Sequence, residues 1–65
     1  MRIEVNGVAV ETGAGTLAAL VAEQGADPVS VATALNGRFV PRQLRDGTVL
    51  DEGAKVELLS PMQGG

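Results

Sequence analysis

Sixty-five residues with no cysteine, no histidine, a net charge of −3 and a single aromatic, Phe39, leave few chemistries open. Without cysteine there is no disulfide, thiol nucleophile or iron–sulfur cluster, and without histidine the commonest metal ligand and the commonest general base near neutral pH are missing. The chain therefore reads as a non-enzyme with no metal site and no bound cofactor, and its acidic balance argues against nucleic acid, which favours a basic field and stacking rings.

This length predicts one domain, close to the lower limit at which a chain folds without staples. A hydrophobic content of 45% argues against disorder. The longest clean apolar run, "LAALVA" at 17–22, is far shorter than a membrane span, so no membrane partner is expected. Strand-like sequence from the first residue predicts no signal peptide and a cytoplasmic protein.

"MRIEV" alternates, with Met1, Ile3 and Val5 on one side and Arg2 and Glu4 on the other, the period of a half-buried strand. Asn6-Gly7 tolerates positive φ at both centres of a type I′ turn. "VAVE" then returns as a second strand with Val8 and Val10 on one face. "TGAG" breaks the pattern, and Thr16 is a candidate N-cap, although no glutamate follows three residues later to complete a capping box. Leu17, Leu20, Val21 and Gln24 keep helical spacing, so the apolar trio forms a stripe facing the sheet. Gly25 supplies a left-handed stop.

Val31, Thr33 and Leu35 alternate with Ala32 and Ala34, and Asn36-Gly37 again marks a tight turn. Phe39 and Val40 form a short return strand, which Pro41 ends because it cannot donate to a ladder. "RQLRDGTVLDEGA" reads as a loop with turn signals at Asp46-Gly47 and Glu52-Gly53, anchored in the core by Leu44, Val49 and Leu50. "KVELL" is the last strand, with Val56 and Leu58 inward and Lys55, Glu57 and Leu59 outward, and Pro61 stops it. Three cations, Arg38, Arg42 and Arg45, fall close together. They form either a solvated loop or a contact patch for an acidic partner protein.

The order β-β-α-β-β-β predicts an α+β domain, a mixed sheet of about five strands packed on one helix. That arrangement suggests the β-grasp, or ubiquitin-like, architecture. Residues 1–60 are expected to form the β-grasp domain and residues 61–65 a flexible C-terminal Gly-Gly tail.

Several segments also resemble one family. "ALNGRFVPR" at 34–42 is similar to the strand–turn–strand segment of ThiS, the sulfur carrier of thiamin thiazole biosynthesis, which commonly ends in Val-Pro-Arg. "DEGAKVELLSPMQGG" resembles that family's acidic-Gly turn, last strand and Gly-Gly end, and "MRIEVNG" its first hairpin. The likeness spans essentially the whole chain, with the helix matching only in pattern.

The resemblance implies that a ThiF-type adenylyltransferase uses ATP to adenylate the carboxylate of Gly65. Sulfur from a persulfide donor then replaces AMP to give a thiocarboxylate, which a ThiG-type thiazole synthase consumes. Gly64 and Gly65 lack Cβ atoms, so the backbone can pass close to catalytic groups. The sulfur must come from a partner, since the chain has no cysteine and the thioethers of Met1 and Met62 are not transferable donors. Ala34 and Leu59 correspond to the outward apolar patch that ubiquitin-like domains use for docking, with strand parity placing both opposite to Leu35 and Leu58. Met62 and Arg42 are further candidate partner contacts.

Two other readings remain open. The small subunit of molybdopterin synthase, or another ubiquitin-like carrier or modifier, shares the Gly-Gly end. A plain protein-binding module would carry the two glycines incidentally.

Overall fold

The computed structural model describes residues 1–61. Strand β1 (Arg2–Val5) and strand β2 (Val8–Glu11) form an antiparallel hairpin, followed by helix α1 (Leu17–Glu23). Strands β3 (Ala32–Leu35) and β4 (Arg38–Val40) form a second hairpin, a 3-10 helix spans Arg42–Gly47, and β5 (Lys55–Leu59) closes the order. The sheet runs β2-β1-β5-β3-β4. First and last strands thus lie side by side, and their pairing is parallel. β5 also pairs antiparallel with β3. This is the expected mixed five-stranded β-grasp sheet with one α-helix.

Both hairpins turn on Asn-Gly for a steric reason. Asn6 and Gly7 have φ of 52° and 83°, and Asn36 and Gly37 have 51° and 84°. Asparagine and glycine are the residues that enter this region most readily. A two-residue turn also fixes register, so Val5 lies opposite Val8 and Leu35 opposite Arg38.

Helix α1 is capped at both ends. Thr16 is extended, and its Oγ1 accepts from the amide of Ala19 at 3.2 Å. At the far end, the amide of Gly25 donates to the Ala22 carbonyl (3.1 Å) and that of Ala26 to the Val21 carbonyl (3.2 Å), with Gly25 at φ 73°. These two bonds define a Schellman stop. Upstream, Thr12 is buried: its hydroxyl accepts from the Ala14 amide at 2.9 Å and donates to Glu23 Oε2 at 2.6 Å. The loop before the helix is thereby tied to the helix's last turn.

Leu17 and Leu20 are fully buried and join Ile3, Val5, Leu50 and Val56 in one cluster, with Leu35 and Leu58 packed at its margin. Val21 is buried as well, but toward the 3-10 helix, where it lines a groove with Ala18, Pro28 and Arg42. Val8 shares the inner-face register yet remains exposed at the sheet edge.

The segment between β4 and β5 departs from the sequence-based expectation. Of its three expected anchors only Leu50 is buried, whereas Leu44 is 59% and Val49 64% exposed. Val49 still contributes backbone pairing, through a bridge to Thr16 flanked by bonds from Leu17 N to the Thr48 carbonyl and from Leu50 N to the Gly15 carbonyl. Arg45 takes the inward position, only 5% exposed. In a 3-10 helix successive side chains turn by about a third of a circle, so Arg45 faces inward while its neighbour Leu44 faces solvent.

Candidate functional site

β5 lies in the middle of the sheet, and the chain leaves it through Ser60 and Pro61. Two asparagine side chains hold this strand. At its start, Asn36 Oδ1 accepts from the Lys55 amide at 3.0 Å, and the Asn36 backbone N–H donates to the Lys55 carbonyl at 2.7 Å. Near its end, Asn6 Oδ1 accepts from the Leu58 amide at 2.9 Å while Asn6 Nδ2 donates to the Leu58 carbonyl at 3.0 Å. The Asn6 backbone amide also donates to the Val56 carbonyl at 2.9 Å.

The sheet face away from α1 carries an apolar strip. Leu59 lies opposite Ala32, and Ala34 lies opposite Glu57 on one side and Phe39 on the other. Alternation puts Ala32, Ala34, Phe39 and Leu59 on this outer face, because their neighbours Thr33 and Val56 are buried beneath the sheet. Phe39 is 69% and Leu59 61% exposed. Glu57 and the cross-strand pair Glu4 and Lys55 border the strip with charge. A ring and a leucine left in water beside two alanines make a continuous apolar surface wider than a single exposed side chain.

Of the residues singled out from sequence, Ala34 and Leu59 share this strip. Arg42 does not: it is exposed on the 3-10 helix, on the opposite side of the sheet, beside Ala18 and Val21 of α1. Met62, Gly64 and Gly65 lie outside the described residues. Phe39 was not among the sequence-based candidates, although the two-residue turn carries the signal, since it sets Ala34 opposite Phe39.

The arginine cluster is also corrected. Arg45 belongs neither to a solvated loop nor to a surface patch, because its guanidinium is buried and bonded inside the domain. Arg38 pairs with Leu35 at the edge of the helix-facing side. Asp27 has its carboxyl pKa lowered chiefly by the Val29 backbone N–H and the Ser30 side chain, and Arg42 adds a smaller attraction to it. The three side chains therefore do not present one cationic surface.

Comparison with known proteins assigns the lineage. The ThiS family model matches residues 1–65. The chain belongs to the ThiS family. The crystal structure of the thiamine biosynthesis protein ThiS from Geobacter metallireducens is similar with a TM-score of 0.83 and 32% sequence identity, covering 100% of both chains. The NMR solution structure of a thiamine biosynthesis protein from the same organism gives a TM-score of 0.82 at 32% identity, covering 100% of this chain and 88% of that one. A search of the curated proteins finds no match. Among the described residues of this ThiS-family chain, no group of His, Cys, Asp or Glu could hold a metal ion, and no helix is long and apolar enough to cross a membrane.

Proposed function

We propose that this chain is a sulfur carrier of thiamin biosynthesis, acting as a protein co-substrate rather than as an enzyme. The observation that carries the reading is membership of the ThiS family over residues 1–65, which takes in Gly64-Gly65. In this reading residues 1–60 are the recognition domain, and residues 61–65 carry the reacting carboxylate into a partner's active site.

A carboxylate is a poor electrophile. An oxygen of the Gly65 carboxylate attacks the α-phosphorus of ATP within a ThiF-type adenylyltransferase, displacing pyrophosphate and forming an acyl adenylate. The terminal sulfur of a persulfide attacks the acyl carbon, and AMP leaves. Thiol cleavage of the resulting S–S bond gives the thiocarboxylate, which a ThiG-type synthase uses for the thiazole. This chain contributes the carboxylate, the Cβ-free approach at Gly64 and Gly65, and a docking surface. Ala34 and Leu59, joined by Phe39, form the central apolar contact of that surface, since apolar residues dominate the fully buried centre of interfaces. Met62 and Arg42 are secondary contacts. ATP consumption by the partner agrees with the cytoplasmic location expected from the sequence.

The test is a mass measurement. Incubation with the cognate adenylating enzyme, ATP and a persulfide source should raise the mass by the difference between sulfur and oxygen. Deleting Gly65 should abolish the shift with little change in thermal stability. Adding one alanine after Gly65 moves the carboxylate about 3.3–3.6 Å along an extended chain, and a 1 Å misplacement can cost about a hundredfold in rate. Gly64→Val should bind the partner yet react poorly. A truncated chain that gains sulfur as fast as the intact one overturns the reading.

A further inference from the structure

The parallel ladder between β1 and β5 ends early. Its last paired residues are Val5 and Val56, because β1 then turns back at Asn6-Gly7. Along β5, the backbone groups that face β1 belong to alternate residues: the Ala54 and Val56 carbonyls accept from Glu4 and Asn6. The next in that series is Leu58, whose amide and carbonyl point to where β1 no longer runs. The Asn6 carboxamide fills the position and bonds both groups, at 2.9 and 3.0 Å. A side chain thus supplies the rung that the backbone cannot. Turn geometry alone does not require it, since glycine also adopts the φ of 52° found at Asn6.

We propose that Asn6 is a positioning residue, whose carboxamide secures Leu58 on the β1 side and so steadies the end of β5 from which the C-terminal segment leaves the domain. Without it, β5 is held on the β1 side only as far as Val56, and its last residues are held by β3 alone, through the pairing of Leu59 with Ala32. From Leu58 to Gly65 is seven residues, a reach of up to about 23–25 Å. A looser base on so long an arm spreads the carboxylate over a larger volume and lowers the fraction of time it spends in a reacting geometry. This inference rests on the carrier reading for its functional consequence, but not for the contact itself.

Asn6→Gly separates the two roles, because Gly-Gly still makes the type I′ turn while the carboxamide is gone. Asn36→Gly is the matched control: it removes one turn side chain and one bond to β5, at the end of the strand remote from the tail. Two readouts apply to both variants. By amide hydrogen exchange, Leu58 N–H should exchange about tenfold faster in Asn6→Gly, as loss of one such bond predicts, and at an unchanged rate in Asn36→Gly. In adenylation by the cognate enzyme, Asn6→Gly should show kcat reduced about threefold or more with unchanged affinity for that enzyme, and Asn36→Gly should match the intact chain. Unchanged Leu58 exchange in Asn6→Gly overturns the proposal whether or not the chain is adenylated. Equal kcat in Asn6→Gly and the intact chain, or an equal loss in both variants, overturns the positioning role. If the intact chain is not adenylated at all, the carrier reading fails, and Leu58 exchange still decides whether Asn6 holds the strand.

Discussion

Arg45 Nε donates to Thr33 Oγ1 at 3.0 Å, and that hydroxyl donates onward to the carbonyl of Val40 at 2.8 Å. The other guanidinium nitrogens donate to the Pro28 carbonyl at 2.8 Å and the Val31 carbonyl at 2.6 Å. One side chain from the 3-10 helix therefore ties together β3, β4 and the loop after α1. The buried cation has carbonyl and hydroxyl oxygens around it, a forked set that the planar guanidinium matches and an ammonium does not. No buried side-chain nitrogen or oxygen among the described residues lacks a partner.

Replacing Arg45 by methionine keeps most of the apolar stem and removes the fork. Each buried acceptor left without a partner costs about 1–3 kcal/mol, so the loss should be at least about 2 kcal/mol by urea unfolding. Arg45→Lys should recover only part of it. A loss within about 0.5 kcal/mol, the range of ordinary surface changes, would mean that water replaces the network at little cost.

Leu20 is fully buried at the centre of the core. Leu20→Ala should cost roughly 2–5 kcal/mol, a large share of the stability of so small a domain. Denaturant titration measures it, and a value near zero would place the helix stripe outside the core.

Leu59→Glu and Phe39→Glu should leave the unfolding midpoint nearly unchanged, because both side chains already face water. Each should weaken binding to the adenylating enzyme by forcing a charge into an apolar contact. Calorimetric titration decides this: unchanged affinity for both variants removes the outer strip from the interface.

A pH effect follows from Asp27. Its Oδ1 accepts from the Val29 amide at 2.9 Å, and this bond, with a side-chain hydrogen bond from Ser30, holds the carboxyl below its ordinary value of 3.8. A folded-state pKa lower than the unfolded one contributes stability above the unfolded pKa, and the contribution is lost as pH falls through the folded value. The intact chain should therefore exceed Asp27→Asn in urea midpoint at about pH 6, with the difference shrinking as pH falls below the ordinary carboxyl value of 3.8. A difference that stays constant across this range would contradict the assignment.

Much of the fold is legible in the sequence because its signals are local. Alternation in "MRIEV" and "KVELL" identifies the buried faces of β1 and β5, and each Asn-Gly pair fixes a hairpin. The Leu17 and Leu20 stripe works for the same reason: a helix repeats its geometry every turn. The 3-10 helix is illegible for the opposite reason. Six residues from Arg42 to Gly47 are too few to establish a period, and the usual rule that leucine goes in and arginine out is inverted at Leu44 and Arg45. What inverts it lies elsewhere in the chain, in the Pro28 and Val31 carbonyls and the Thr33 hydroxyl. The outer strip is partly legible, since parity places Ala34 and Leu59. Phe39 joins them only when register is carried across the Asn36-Gly37 turn.

The central place of β5 has a mechanical consequence. It is bonded to β1 on one side and β3 on the other, so tension drawn along it from Pro61 loads both rows of hydrogen bonds in shear, all at once. A tail attached to the edge strand β4 would instead let the sheet unzip one bond at a time. Force applied through Pro61 should therefore rupture the domain at a higher load than force applied across the β3–β4 hairpin. A partner can haul on the end of this chain without unravelling the body that identifies it.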